Sequence, residues 1–136
     1  MILGIGSDLV NTRRIDAALV RHGRRFEERL FTDEERKTAR KNPFPARSYA
    51  KRFAAKEALS KALGTGIGAG VSFRDMEVVS LTSGKPVMKL SGGAKTRLAF
   101  LTPEGMTARI HVTITDDASL AQAFVVVEAV QKEFSL

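Results

Sequence analysis

The chain of 136 residues has no cysteine and no tryptophan, a single tyrosine and two histidines. Without cysteine there is no disulfide framework, no thiolate metal site and no cysteine nucleophile; a cytosolic address suits this composition without following from it. There is no long apolar run, and no basic leader precedes Asp8. The N-terminal stretch MILGIGSDLV is therefore expected to be neither a signal peptide nor a membrane span, and reads as a buried first strand. Low-complexity tracts and internal repeats are also lacking. The length fits one domain, 1–136, with a core of its own.

What is present is charge, unevenly placed. Residues 1–61 hold 15 Lys and Arg against 8 Asp and Glu, whereas residues 62–136 hold 7 of each, so the whole net charge of +7 sits in the first half. Such a face fits an anionic partner: nucleic acid, an acidic protein, a phosphorylated small molecule or a membrane surface. A merely soluble basic protein would look the same.

The pattern predicts strand 2–10, in which Gly4 and Gly6 imply a close backbone approach or a bulge. A helix follows over 13–22, capped by Asn11 or Thr12, and Gly23 interrupts it before a second helical stretch, RRFEERL. Thr32 with Glu35 three residues on makes a capping box. After the proline-containing break KNPFPARS, the longest helix is expected over 49–63, ended by Gly64. GTGIGAGVS is too rich in glycine for regular structure. Strands MEVVSL and VMKL, joined by TSGKP, form a hairpin, and a short helix lies near GGAKTRLAFL. In TARIHVTIT, Ala108, Ile110, Val112 and Ile114 alternate with Arg109, His111, Thr113 and Thr115, a strand with one buried face. The last strand, AQAFVVVEAV, is apolar enough to be covered on both sides or to lie in a subunit contact. The fold class is α+β, an antiparallel sheet backed by helices.

Glu57 and Lys61, four apart on the long helix, share a face with Phe53 to one side and Ala54 and Ala58 to the other. An ordinary surface pair would look so, worth about 0.2–0.5 kcal/mol. Asp8 tilts the balance, because a carboxylate near the end of a glycine-bearing strand has little structural work unless it caps a helix or meets something. Two carboxylates without cysteine or a histidine cluster suit a hard cation such as Mg²⁺. Lys56, Lys61 and the backbone N–H groups of GTGIG would then bind phosphate, although a Walker loop is excluded for want of its GK[ST] ending. The residues alone point to Mg-assisted phosphoryl-type transfer.

GIGSDLV followed by RRI, then KRFAAKEALSKALGTGIG and SGKP, together resemble bacterial holo-acyl-carrier-protein synthases, the small class of 4′-phosphopantetheinyl transferases, from residue 2 to about residue 128. The resemblance implies a cytoplasmic Mg-dependent enzyme of that fold. It would move the phosphopantetheine arm of coenzyme A onto a serine of apo-acyl carrier protein and release adenosine 3′,5′-bisphosphate. By the family pattern Asp8 and Glu57 hold the metal, Glu57 is the base directly or through water, and Lys61 contacts the reacting phosphate. Arg52, Gly64, Thr65, Gly66 and the turn Ser83, Gly84, Lys85 and Pro86 carry over as the grip on coenzyme A. Arg14, Arg25, Phe26 and Arg29 carry over as the docking surface for the acidic carrier; for Phe26 core packing is the alternative.

The resemblance further implies a homotrimer with sites between subunits, and neither nucleic acid nor membrane as partner. Many members have a histidine where this chain has Asp116, so a catalytic role there stays open. His111 and His22 read as structural or solvent-facing. The competing reading is a nucleic-acid-binding α+β module, which calls for aromatic residues facing outward on the central strands, and ARIHVTIT has none.

Overall fold

The computed structural model describes residues 1–133; residues 134–136, part of the expected domain 1–136, lie outside the described set. In chain order come β1 (Ile2–Asn11), α1 (Thr12–His22), α2 (Arg24–Leu30), α3 (Asp33–Arg40), α4 (Pro45–Ala62), a short 3₁₀ turn (Phe73–Asp75), β2 (Met76–Ser80), β3 (Pro86–Leu90), α5 (Gly92–Leu101), β4 (Met106–Asp117) and β5 (Leu120–Gln131). This is the α+β order the sequence predicts, with one refinement: the strands form two antiparallel sheets, β1-β5-β4 and β2-β3.

Several boundaries move for identifiable reasons. Asn11 caps α1, its side chain accepting from the Arg13 N–H, so the helix starts at Thr12. The capping box of α3 forms as expected, Thr32 Oγ1 accepting from the Glu35 N–H at 3.3 Å and Glu35 Oε1 from the Thr32 N–H at 3.0 Å. Helix α4 begins at Pro45, four residues before the expected start: proline at the first helical position loses no hydrogen bond and brings a helical φ, so PFP opens the helix instead of holding it off.

Helix α4 is the hub. Ala54, Ala55, Ala58, Leu59 and the adjoining Leu63 are fully buried with Phe31, Tyr49, Met76, Val125 and Val127. Strand β5 is covered on one side only. Ala121, Ala123, Val125, Val127 and Ala129 face α4, while Phe124 stays 45% exposed on the opposite face beside Ile5 and Leu9 of β1. Of the two alternatives for the last strand, cover on both sides is therefore not provided by the described residues.

The two glycines of β1 decide how near the sheet comes. A Cβ at Gly6 would lie 1.9 Å from the Ala58 carbonyl oxygen, and one at Gly4 1.9 Å from that of Ala62. The ladder also shifts register between Ile2 and Gly4, so close approach and bulge both occur. We expect Gly6→Ala to cost at least about 3 kcal/mol, because backbone faces the new methyl and must retreat; a lowered thermal midpoint in circular dichroism is the readout.

Candidate active site

The β1–α4 crossing brings Asp8 to Lys61 and Glu57. On β1 positions 6, 8 and 10 share the helix-facing side, and because Gly6 lets the backbones nearly touch, Asp8 reaches the last turns of α4. Lys61 Nζ donates to the Ser7 carbonyl oxygen at 3.0 Å and to Asp8 Oδ1 at 3.3 Å. Half of the Lys61 side chain remains exposed, so the cluster opens to solvent. Glu57, half-buried, has its pKa raised first by burial and next by repulsion from Asp8, with Lys61 opposing. A carboxylate whose charge is disfavoured by burial and by a second carboxylate forms with it a donor set a divalent cation would relieve. Among the described residues no three acidic or imidazole side chains are placed to hold a metal ion together; a magnesium ion that fills its shell with water and phosphate does not call for three.

A raised folded-state pKa has a definite sign for stability. The contribution of Glu57 is fully present below its unfolded pKa and is lost as pH rises through the raised folded value, because the charged form is the one the site disfavours. Asp8→Asn removes the repulsion, and the Glu57 carboxyl should then titrate at lower pH than in the parent, as read by ¹³C NMR of the labelled carboxyl carbon.

Lys56 does not join this cluster. Its side chain is fully buried on another side of α4, with Nζ donating to Glu35 Oε1 at 2.5 Å and to the Leu30 carbonyl oxygen at 2.6 Å. The expected phosphate role is thereby corrected: one residue along a helix is a turn of 100°, and here that step leads from an open face into the core. The expectation for GTGIG is corrected as well. The N–H of Gly64 donates to the Lys61 carbonyl oxygen, and those of Thr65 and Gly66 to that of Ser60. They close the C-terminus of α4 and are not free to cradle an anion.

Arg52 is buried, donates through Nη1 to Ser48 Oγ at 2.7 Å, and leaves Nε without a protein partner. The turn Ser83-Gly84-Lys85 is exposed at the hairpin tip, where the Gly84 N–H donates to the Leu81 carbonyl oxygen and the Lys85 N–H to Ser83 Oγ. Arg25, Phe26 and Arg29 come together with His22, Ile67 and Phe73 around a groove of about 600 Å³. Phe26 serves both readings, since it lines the groove and packs edge-on against Phe31 with centroids 6.0 Å apart. Arg14 stands exposed on α1, outside this groove. Asp116 pairs with Arg47 at 3.0 Å, and exposed His111 pairs across the ladder with Glu128 at 2.8 Å. His22 ends α1 at the groove.

Sequence reasoning missed Phe73 and Ile67 as groove walls. Phe73 stacks on Phe53, one turn before Glu57, with centroids 5.4 Å apart. Ile67 lies within the glycine run and Phe73 just beyond it, so neither carries a periodic signal, and only the folding back of that loop places them.

The fold and the site define a class: a small α+β protein whose acidic pair and lysine, set where a strand crosses a helix, are suited to phosphate-bearing groups. The chain belongs to the 4′-phosphopantetheinyl transferase superfamily, whose sequence pattern matches residues 4–123. It is 58% identical over 135 residues to the holo-[acyl-carrier-protein] synthase of Beijerinckia indica subsp. indica, covering 99% of this chain and 96% of that one. To the protein of the same name from Rhodopseudomonas palustris it is 61% identical, with 96% and 92% covered. The crystal structure of holo-[acyl-carrier-protein] synthase from Neisseria meningitidis matches with a TM-score of 0.83 at 37% identity, over 94% of this chain and 99% of that one. The Bacillus anthracis synthase in complex with CoA (3′,5′-ADP) matches with a TM-score of 0.75 at 37% identity, over 93% and 96%.

Proposed function

We propose that this chain is a holo-[acyl-carrier-protein] synthase, which transfers the 4′-phosphopantetheine arm of coenzyme A to a serine of apo-acyl carrier protein. The carrying observation is the meeting of Asp8, Glu57 and Lys61 at one crossing of β1 and α4, and membership of the transferase superfamily supports it. The serine oxygen forms a bond to the phosphorus bearing pantetheine, the bond from that phosphorus to the bridging oxygen breaks, and adenosine 3′,5′-bisphosphate leaves.

Asp8 and Glu57 would hold Mg²⁺, which when bound supplies charge neutralisation for the diphosphate. Glu57, its pKa raised, takes the serine proton directly or through a water. Lys61, already fixed on Ser7 and Asp8, directs its remaining donor capacity at the phosphate oxygens. Arg52, with Nε unpartnered, grips the nucleotide together with Gly64, Thr65, Gly66 and the turn Ser83–Pro86; the N–H groups of 64–66 being spent on the helix end, that loop contributes by close backbone approach, for which the space around Gly66 and Gly84 is open.

Arg25 and Arg29 receive the acidic carrier, with Phe26 as the apolar anchor and Arg14 as an outlying charge. Charge reversal, Arg25→Glu, should raise KM for the carrier roughly tenfold at low salt, a difference that shrinks as ionic strength rises; steady-state kinetics at two salt concentrations read it.

The exposed apolar face formed by Ile5, Leu9 and Phe124 supports assembly into a homotrimer. Among the described residues no helix is long and apolar enough to cross a membrane, and a cytoplasmic enzyme built as one domain completes the reading. Phe124 is an outward aromatic of the kind a nucleic-acid-binding sheet needs. Its cross-strand neighbours are Ser7 and Thr113, however, and the arginines that would meet a phosphate backbone stand on α1 and α2.

The test is intact-protein mass spectrometry of apo-acyl carrier protein incubated with this protein, coenzyme A and Mg²⁺, beside a chelator control. A metal-dependent gain of one phosphopantetheine is expected. Absence of any gain with several carrier proteins would defeat the reading.

A further inference from the structure

The proposed chemistry makes no use of Lys56, although Glu57 is the next residue. Its ammonium is wholly buried, a costly placement unless every donor is matched. It is matched by the Leu30 carbonyl oxygen, by Glu35 Oε1 and by the face of Phe31, 4.9 Å from the ring centroid. Glu35 is itself held by the N–H groups of Thr32 and Val78. Leu30 is the last residue of α2; it follows Arg29 and lines the same groove as Phe26. One side chain of the catalytic helix therefore grasps the end of the helix that bears the docking residues.

Helix α2 needs such a hold. It has only seven residues, no side-chain cap, and Gly23 at φ +52 as its only link to α1. A helix this short has no stability of its own and takes its position from tertiary contacts. Apolar contacts resist separation but are not directional, whereas a charge-assisted bond in a dry interior fixes both distance and angle.

We propose that Lys56 is a positioning residue for carrier docking: through the Leu30 carbonyl it sets the α2 face that bears Arg25, Phe26 and Arg29 at a fixed distance from Glu57. This rests on the carrier-docking reading of α2. The consequence is selective, since a displaced α2 misplaces the carrier serine and leaves the coenzyme A grip on α4 and the hairpin where it was.

The experiment is steady-state kinetics with carrier and coenzyme A varied separately. In the double variant Lys56→Met with Glu35→Gln both charges go together, which keeps the interior free of an unpaired ion. KM for the carrier should rise roughly tenfold, because a displaced α2 reshapes the groove it forms with Ile67 and Phe73 and so weakens docking, while KM for coenzyme A stays at the parent value. Glu35→Gln alone keeps the bond to Leu30 and should leave carrier KM unchanged. Thr32→Ala, which weakens only the α3 cap, should lower the melting temperature without raising carrier KM. If the double variant is unfolded at the assay temperature, the same kinetics are run for it and the parent at a lower temperature at which circular dichroism shows both folded.

An unchanged carrier KM in a folded Lys56 variant overturns the proposal, as does an equal rise in both KM values or a rise with Thr32→Ala. Failure of the underlying reading shows itself separately, as no transfer by the parent protein or no effect of Arg25→Glu on carrier KM.

Discussion

Glu57→Gln is expected to abolish most transfer while leaving the protein at least as stable as the parent. The neutral amide can neither take the serine proton nor contribute charge to a cation site, and removal of a general base alone costs about 10²–10⁴-fold in rate. The stability sign follows from the raised pKa. Burial and Asp8 together outweigh Lys61, so the ionised carboxylate is disfavoured in the folded state, and a neutral side chain of the same shape relieves that cost at neutral pH. Thermal unfolding monitored beside the mass-spectrometric assay would show a melting temperature equal to or above that of the parent together with lost activity. If Glu57 were merely half of a surface pair with Lys61, replacing it would lower stability slightly and leave transfer intact; that result would remove Glu57 from the site. The opposed directions are what a site that stores electrostatic strain for function predicts.

The second large effect concerns folding. Lys56→Ala leaves Glu35 buried and without its cation, the Leu30 carbonyl without its donor, and a void against Phe31. Breaking a buried pair from one side costs about 3–5 kcal/mol, which for a chain of this size lowers the melting temperature by roughly 10–20 °C. Glu35→Ala should cost a comparable amount, since Thr32 and Val78 lose their acceptor as well. Because the two residues share one network, the double replacement should cost clearly less than the two single effects together. Urea denaturation of the four proteins measures the cycle, and additive losses would show that the pair does not act as a unit.

These two residues, neighbours in the chain, also show how far the sequence could be read. Glu57 and Lys61 were legible because a spacing of four fixes a shared helix face whatever surrounds it, and Asp8 because a carboxylate on a glycine-bearing strand is out of place without a task. Lys56 was misassigned because a lysine next to a carboxylate reads as exposed. Its partner was nevertheless already in view: Glu35, recognised as half of a capping box, performs that task with one oxygen and shares the same oxygen with Lys56. Similarly, Gly64 was rightly placed at a helix end, but that closure uses up the N–H groups that had been assigned to phosphate.

Local physics thus determined what depends on nearest neighbours: the order of strands and helices, the capping box at Thr32, the alternation of β4, the glycines of β1 and the shared face of Glu57 and Lys61. Tertiary structure alone decided which side of α4 meets solvent, which strand becomes central, and which arginines gather around Phe26 and Phe73. The reason is that burial is a property of what packs against a residue from elsewhere in the chain. A helix covered on most sides, as α4 is, no longer advertises an inside and an outside in its own pattern, so the fate of each charge on it is settled only when β1, β5, α3 and β2 arrive.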